Sequence, residues 1–158
     1  KTFSMTGWRI GWAVGPADVI EAMGTLQGQS TSNTCSVAQH AALEALTGDQ
    51  EPIRAMVAEF SKRRDRIVER LRAIPKISVP TPEGAFYAFP RVDAYYGARP
   101  GLTGSIAMAE AILEEALVAV VPGGPFGSDA HIRLSYACSP ADIDRAMDRL
   151  DAFFAKLR

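Results

Sequence analysis

KTFSMTGWRIGWAVGP, residues 1–16, opens the chain with a lysine, a Thr-Gly turn and an arginine at the head of an apolar segment. The aromatic and apolar run from Arg9 to Val14, ended by a Gly-Pro pair, predicts a buried strand. Because a guanidinium in a core segment is costly without a counter-charge, we expect Arg9 to meet an anion. Lys1 alone indicates little, since a terminal lysine is usually exposed and mobile.

The rest of the chain alternates between helical and strand-like periodicity. Apolar residues recur every three or four positions in the helical segments, and the strand-like runs are short and bounded by Gly, Pro or polar residues. The predicted elements are a helix after Pro16 ending near Gly28, an ordered loop over 27–36, a helix from Ser36 to Leu46, a long amphipathic helix from Pro52 to Ile74, strands at 77–79, 85–89, 118–121 and 132–136, a helix over 105–116, and a last helix after Ser139. Ser139 as N-cap, with Pro140 next and Asp142 three residues later, is a strong helix start. The alternation indicates an α/β or α+β fold.

Composition narrows the possible partners. The formal net charge is −1, from 17 basic and 18 acidic residues, so no broad field would attract nucleic acid or an anionic membrane. The KRRDR cluster at 62–66 is interleaved with acidic residues and predicts a solvated helix face. Cys35 and Cys138 lack the spacing of a disulfide framework or a metal site, which favours a reducing cytoplasm and no bound metal. The expected partners are small molecules or another subunit.

The start of the chain and its apolar segments give two further expectations. No apolar run approaches the length of a membrane helix, and the first residues lack the features of a signal peptide. Because the chain begins at Lys1 rather than at a methionine, we expect further sequence to precede it.

A second arginine stands in an apolar strand. Arg133 interrupts the run HIRLSYA, residues 131–137, shortly after the glycine-rich turn PGGPFG at 122–127. The planar fork of a guanidinium matches a carboxylate bidentately. The pattern leaves two readings open, an internal salt bridge and a substrate carboxylate. Upstream, the glycine of EGAFY, residues 83–87, permits a bend before an aromatic strand, which on its own is an ordinary strand start.

Five ordered motifs together resemble the class I/II, fold-type I aminotransferases that depend on pyridoxal phosphate, and the aspartate aminotransferase family in particular. The motifs are KTFSMTGWRIGWAVGP, QSTSNTCSVAQ, EGAFYAF, VAVVPGGPFG and HIRLSYA. The resemblance covers essentially the whole chain and places its start at the cofactor lysine. It implies that residues 1–48 are the C-terminal part of a large cofactor-binding domain with a mainly parallel sheet. Residues 49–158 would be a connecting helix and the smaller C-terminal α/β domain.

The resemblance also implies roles for single residues. Lys1 would be the catalytic residue that forms a Schiff base with pyridoxal 5'-phosphate, and Arg9 would bind the cofactor phosphate. Arg133 would bind the α-carboxylate of the substrate, and Phe86 would help to wall the substrate side. A loop would approach the active site of the neighbouring subunit in a homodimer; its residues are Ser30, Thr31, Ser32 and Asn33.

The implied activity is a ping-pong transamination between an L-amino acid and a 2-oxo acid, in cytoplasmic, biosynthetic amino-acid metabolism. Aspartate and 2-oxoglutarate are the first choice. The alternatives are an aromatic or prephenate aminotransferase, a related lyase with the same cofactor, and an inactive isolated C-terminal fragment. The family residues that pair with the pyridine nitrogen and stack on the ring have no counterpart in this chain, so we expect the isolated chain to be inactive. Gly124-Pro125 also departs from the Ser-Ala of many relatives.

Overall fold

Helices make up most of the regular structure in the computed structural model, which describes residues 1–157. The helices are α1 (Ala17–Ser30), α2 (Ser36–Thr47), α3 (Glu51–Ala73), α4 (Ser105–Ala116) and α5 (Pro140–Ala155); the strands are β1 (Tyr87–Ala88), β2 (Val121–Pro122) and β3 (Ile132–Ser135); short 3-10 turns lie at Thr6–Trp8, Asp93–Tyr95 and Gly124–Phe126. Every predicted helix is present, with bounds that differ by at most about two residues, as is usual for helix ends. The mixed α/β content confirms the predicted fold class. By internal contacts the chain divides into two compact units, Lys1–Ala55 and a second that begins at Met56.

The first unit has α-helices but almost no core. Its buried apolar residues are the small side chains of Ala38 and Ala42. The predicted strand from Arg9 to Val14 is wrong: the segment has no assigned secondary structure, and Val14 is 96% exposed. A strand exists through hydrogen bonds to neighbours, and no described segment pairs with this one. Helix α1 does form, yet its apolar residue Leu26 is 72% exposed.

The second unit is built on a three-stranded antiparallel sheet in the order β1-β3-β2. Strand β3 is central, with Ser135 opposite Tyr87 on one side and Arg133 opposite Val121 on the other. Since side chains alternate across a strand, the buried residues of β3 face the core and Arg133 lies on the opposite face. The strand predicted at 77–79 is not formed. Its place is taken by a single antiparallel bridge between Ser78 and Arg91.

Helices α3, α4 and α5 supply the apolar core of the second unit. Its largest fully buried side chains, from these helices, the sheet and the loops, include Leu71, Ile74, Tyr95, Met108, Ile112, Ile132, Tyr136, Met147, Leu150 and Phe154. Helix α5 begins as predicted: the Oγ of Ser139 accepts a hydrogen bond from the amide of Asp142 at 3.1 Å. The arginines of the KRRDR cluster form ion pairs with acidic side chains, which agrees with a solvated helix face.

Other features of the described residues bear on partners. No helix within residues 1–157 is both long and apolar enough to cross a membrane. The thiols of Cys35 and Cys138 are free, and the same part of the chain holds no cluster of side chains arranged to bind a metal ion.

Candidate functional site

The first residues of the chain line an open pocket of about 590 Å³, within the usual volume range for small-molecule sites. Its lining combines cationic, hydroxyl and aromatic side chains: Lys1, Thr2, Phe3, Met5, Thr6, Arg9, Ile10, Gly11 and Trp12. The structure therefore brings the two predicted cofactor residues, Lys1 and Arg9, to the wall of the same pocket. Two positive side chains in one concave surface favour an anionic ligand.

The segment that joins Lys1 to Arg9 is made of turns. The amide of Ser4 donates to the carbonyl of Lys1 at 3.0 Å, and the turn Thr6–Trp8 reverses the chain again. Arg9 then adopts a left-handed backbone, with φ of 53°, which costs a non-glycine residue about 1–2 kcal/mol. Its Nη1 donates to the carbonyl of Thr6 at 3.2 Å, a bond that uses one of the five guanidinium N–H donors. The remaining donors of this exposed side chain are available to a ligand.

The second predicted anion site is a guanidinium that lies close to two aromatic rings. The Cζ of Arg133 lies 4.5 Å from the ring centroid of Tyr87 and 4.4 Å from that of Phe126. Both distances are within the range of cation–π attraction. None of the ion pairs described for residues 1–157 includes Arg133, so the internal salt bridge is not the arrangement found here. The two rings lie close to the guanidinium, and its N–H groups, which lie in its plane, are the donors that would bind a carboxylate.

The glycine-rich turn that carries Phe126 depends on close backbone packing. The amide of Gly123 donates to the carbonyl of His131 at 2.9 Å. A Cβ on Gly123 would lie 2.3 Å from the oxygen of His131 and 2.4 Å from that of Ser128, so only glycine fits. Gly127 ends the turn at a φ of 85°, a conformation that also favours glycine. The turn is thereby fixed beside β3.

The contacts described for Phe86 are with other aromatic rings, and its role on the substrate side stays a prediction. Its half-buried ring stacks on Phe60 at 5.9 Å and packs against the core of the second unit. Tyr87, the next residue, contacts Arg133 instead. Sequence reasoning missed Tyr87 and Phe126 as site residues. Strand alternation was the available signal for Tyr87, since it lies opposite Ser135, which is on the same face of β3 as Arg133.

The loop that was expected to approach a neighbouring subunit is exposed and ordered by local bonds. Ser30 is the last residue of α1, and the Oδ1 of Asn33 accepts a hydrogen bond from the Nε2 of Gln39 at 3.4 Å. Ser32 has a left-handed backbone with φ of 62°. None of the residues 30–33 lines the pocket of Lys1 and Arg9. Their role toward a partner subunit stays a prediction.

Comparison with known proteins identifies the family. The family model described as "Aminotransferase class I and II" matches residues 1–150. An aspartate/prephenate aminotransferase of Cereibacter sphaeroides is 46% identical over 161 residues, which cover 99% of this chain and 40% of that protein. An aspartate aminotransferase of Streptomyces avermitilis is 45% identical, over 100% of this chain and 40% of its own length.

A solved structure gives the same result for the fold. The aspartate aminotransferase from Rhizobium meliloti superposes with a TM-score of 0.87 at 39% identity, over 98% of this chain and 40% of that one. The chain thus spans about 40% of the length of the curated relatives that it matches. The motifs, the fold and these matches agree, and the chain belongs to the class I and II aminotransferases of fold-type I.

Proposed function

We propose that this chain is the lysine-bearing part of a pyridoxal-phosphate-dependent aminotransferase that transfers an amino group between an L-amino acid and a 2-oxo acid. The observation that carries the proposal is the pocket in which Lys1 and Arg9 meet. A ligand that carries an aldehyde and a phosphate needs a primary amine to bind the aldehyde carbon and a cation to bind the phosphate. Lys1 and Arg9 offer these two groups in the wall of one pocket. Membership of the family supports the same conclusion.

The residues of the pocket fit this cofactor. Arg9 would bind the phosphate with N–H donors that its bond to Thr6 does not use, and Lys1 would bind the aldehyde carbon. The rings of Phe3 and Trp12, with centroids 6.4 Å apart, give the same pocket an apolar side. When bound, pyridoxal phosphate supplies an electron sink for the negative charge that develops at the substrate α-carbon.

The chain's own side chains then have separate tasks. Lys1 would move the proton at the substrate α-carbon as a general base. Arg133 would bind the α-carboxylate through N–H groups in the plane of its guanidinium, while the rings of Tyr87 and Phe126 keep that plane in one orientation. Fixing the carboxylate orients the reacting C–H bond, which is a positioning effect on catalysis. Phe86 would help to wall the substrate side.

Aspartate and 2-oxoglutarate are the substrates we propose first, because relatives over 40% identical are named aspartate aminotransferases. Prephenate is the second candidate, since one relative at 46% identity is named for both substrates. The exposed apolar residues of α1 and α2 support a homodimer in which the loop of residues 30–33 reaches a partner subunit. Cytoplasmic amino-acid biosynthesis is the proposed setting.

A chimera tests the proposal, with this chain replacing the matched segment of the Cereibacter sphaeroides relative. We expect transfer from aspartate to 2-oxoglutarate, and loss of at least about a hundred-fold in Lys1→Ala. Lys62→Ala, at a side chain that is 79% exposed on α3, is the matched control and should retain the rate. Release of ammonia or carbon dioxide without an amino acceptor would instead indicate a lyase or decarboxylase. A folded chimera that is inactive, or equally active after Lys1→Ala, would contradict the proposal.

A further inference from the structure

Asp129 and Ser105 form a hydrogen-bonded network below the turn that carries Phe126. The Oδ1 of Asp129 accepts from the amide of Ser105 at 3.0 Å and from its hydroxyl at 2.6 Å. The hydroxyl oxygen of Ser105 in turn accepts from the amide of Gly124 at 3.1 Å. Ser105 is fully buried, so its hydroxyl has little access to water as an alternative partner. A carboxylate in loop 128–131 is thereby linked to the first residue of the turn Gly124–Phe126.

Other contacts hold Asp129 in this position. A Cβ on Gly104 would lie 2.6 Å from the Oδ2 of Asp129, so the chain entering α4 packs directly on the carboxylate. The hydroxyl of Tyr96 donates to the main-chain oxygen of Asp129. The hydrogen bond from the Ser105 hydroxyl lowers the pKa of Asp129, because that bond stabilises the charged carboxylate. The backbone and the side chain of Asp129 are therefore both engaged.

The network matters for Arg133 because the ring of Phe126 is held through its turn and not through the core. Its side chain is 52% exposed, so core packing does not fix the ring. The ring position follows from the turn, in which the amide of Phe126 donates to the carbonyl of Gly123 at 2.8 Å. That ring lies 4.4 Å from the Cζ of Arg133. A shift of Gly124 would move one of the two rings that hold the guanidinium.

We propose that Asp129 is a positioning residue for Arg133, acting through Ser105, Gly124 and the ring of Phe126. Without the carboxylate oxygen the buried Ser105 hydroxyl loses its acceptor and its orientation is no longer fixed, so the amide of Gly124 loses a fixed acceptor and Phe126 no longer stays beside the guanidinium. Arg133 then samples several orientations and binds a carboxylate less well. The effect on ligand binding rests on the proposed role of Arg133, whereas the effect on ring stacking does not.

The test uses the 158-residue chain labelled for NMR, with the side-chain Nε–Hε resonance of Arg133 assigned by its loss in Arg133→Lys. Stacked rings displace this resonance by their ring current. We expect Asp129→Ala to lose most of that displacement and to weaken the aspartate-dependent change in the resonance about two- to five-fold, the value of one exposed cation–π contact. Asp129→Asn keeps an acceptor oxygen and should retain both signals. Glu114→Ala, at an exposed side chain on the helix that Ser105 begins, is the matched control and should also retain them.

Thermal melts recorded by circular dichroism show whether each variant folds. If Asp129→Ala does not fold, Gly104→Ala displaces the carboxylate without removing it and replaces that variant in the same measurements. A folded Asp129→Ala or Gly104→Ala that keeps the ring-current displacement would overturn the proposal, as would an Asn variant that loses as much as the Ala variant. If the displacement changes as expected but Arg133 of the unmodified chain does not respond to aspartate, the positioning role stands and the carboxylate role of Arg133 under the proposed function fails.

Discussion

The second unit of the chain buries its large apolar side chains, and the first unit leaves most of its own exposed. Phe154 and Met108 are fully buried in the second unit, whereas the buried apolar residues of the first are two alanines. Both units nevertheless form the helices that their periodicity predicts. The difference shows that periodicity fixes where a helix forms, while burial depends on which other elements are present to cover its apolar face.

The largest expected effect is in the core of the second unit. Phe154→Ala removes a ring that packs at 4.8 Å from that of Tyr95, and large-to-small changes at such sites cost about 3–5 kcal/mol. Leu26→Ala, on the exposed face of α1, is the matched change in the first unit and should cost less than about 0.5 kcal/mol in the isolated, monomeric chain. Urea unfolding of both variants measures the two values. Equal losses would mean that the face of α1 is buried in solution and that the contrast between the units is wrong.

A pair of neighbouring glycines tests how tightly the second unit holds its site. Gly123→Ala places a Cβ within 2.3 Å of a carbonyl oxygen and should destabilise the unit by about 1–3 kcal/mol, as overpacking usually does. Gly124→Ala meets its nearest atoms at 3.4 and 3.5 Å, so its cost should be small. Both are compared by urea unfolding and by the NMR resonance of Arg133. Similar results for the two variants would remove close packing as the reason for glycine at position 123.

In the second unit the sequence predicts part of the candidate site. Arg133 could be found because a charge inside an apolar strand is conspicuous, whatever its partner. The contact between Arg133 and Phe126 could not be predicted, because it joins a turn to a strand through backbone hydrogen bonds such as that from Gly123 to His131. Periodicity carries no information about such contacts. Tyr87 lay within reach of strand alternation, but only once its register with β3 was known.

In the first unit the sequence predicts the site residues but not the local structure that brings them together. The motif pointed to Lys1 and Arg9, and the structure places both at one pocket, although the strand predicted from Arg9 to Val14 is absent. Their approach depends on left-handed backbone conformations at Ser4 and Arg9. Non-glycine residues adopt this conformation where the surrounding structure imposes it, so no local propensity predicts it. The strand predicted from Arg9 to Val14 is wrong because a strand needs a neighbouring strand to pair with, and an apolar run gives no information about that neighbour.

A smaller effect is expected at the start of α5. Ser139→Ala removes the Oγ that accepts from the amide of Asp142 and should cost about 1 kcal/mol. Ser36→Ala, at the first residue of α2 in the first unit, removes a hydroxyl that caps no amide and should be nearly neutral. Thermal melts of the two variants give the comparison. A loss in Ser36→Ala as large as that in Ser139→Ala would show that the helix starts of the two units are equally dependent on their serines.

The smallest expected effect is a response of the second unit to acid. Hydrogen bonds from Ser105 hold the pKa of Asp129 below its usual value, and the guanidinium of Arg91 does the same for Asp93. A carboxyl group whose pKa is lower in the folded state stabilises that state above its unfolded pKa of about 3.9, and the contribution is lost as the pH falls through the folded value. The melting temperature should therefore drop below about pH 4.

Two variants assign that acid response to particular bonds. Asp129→Asn cannot titrate, so its melting temperature should fall less steeply below about pH 4 than that of the unmodified chain. Ser105→Ala removes the main cause of the lowered pKa and should flatten the curve in the same direction. Melting curves from neutral pH to about pH 3 measure both slopes. If both variants keep the full acid slope, Asp129 does not contribute to it. The loss of stability in acid then belongs to other carboxylates of the second unit, such as Asp93.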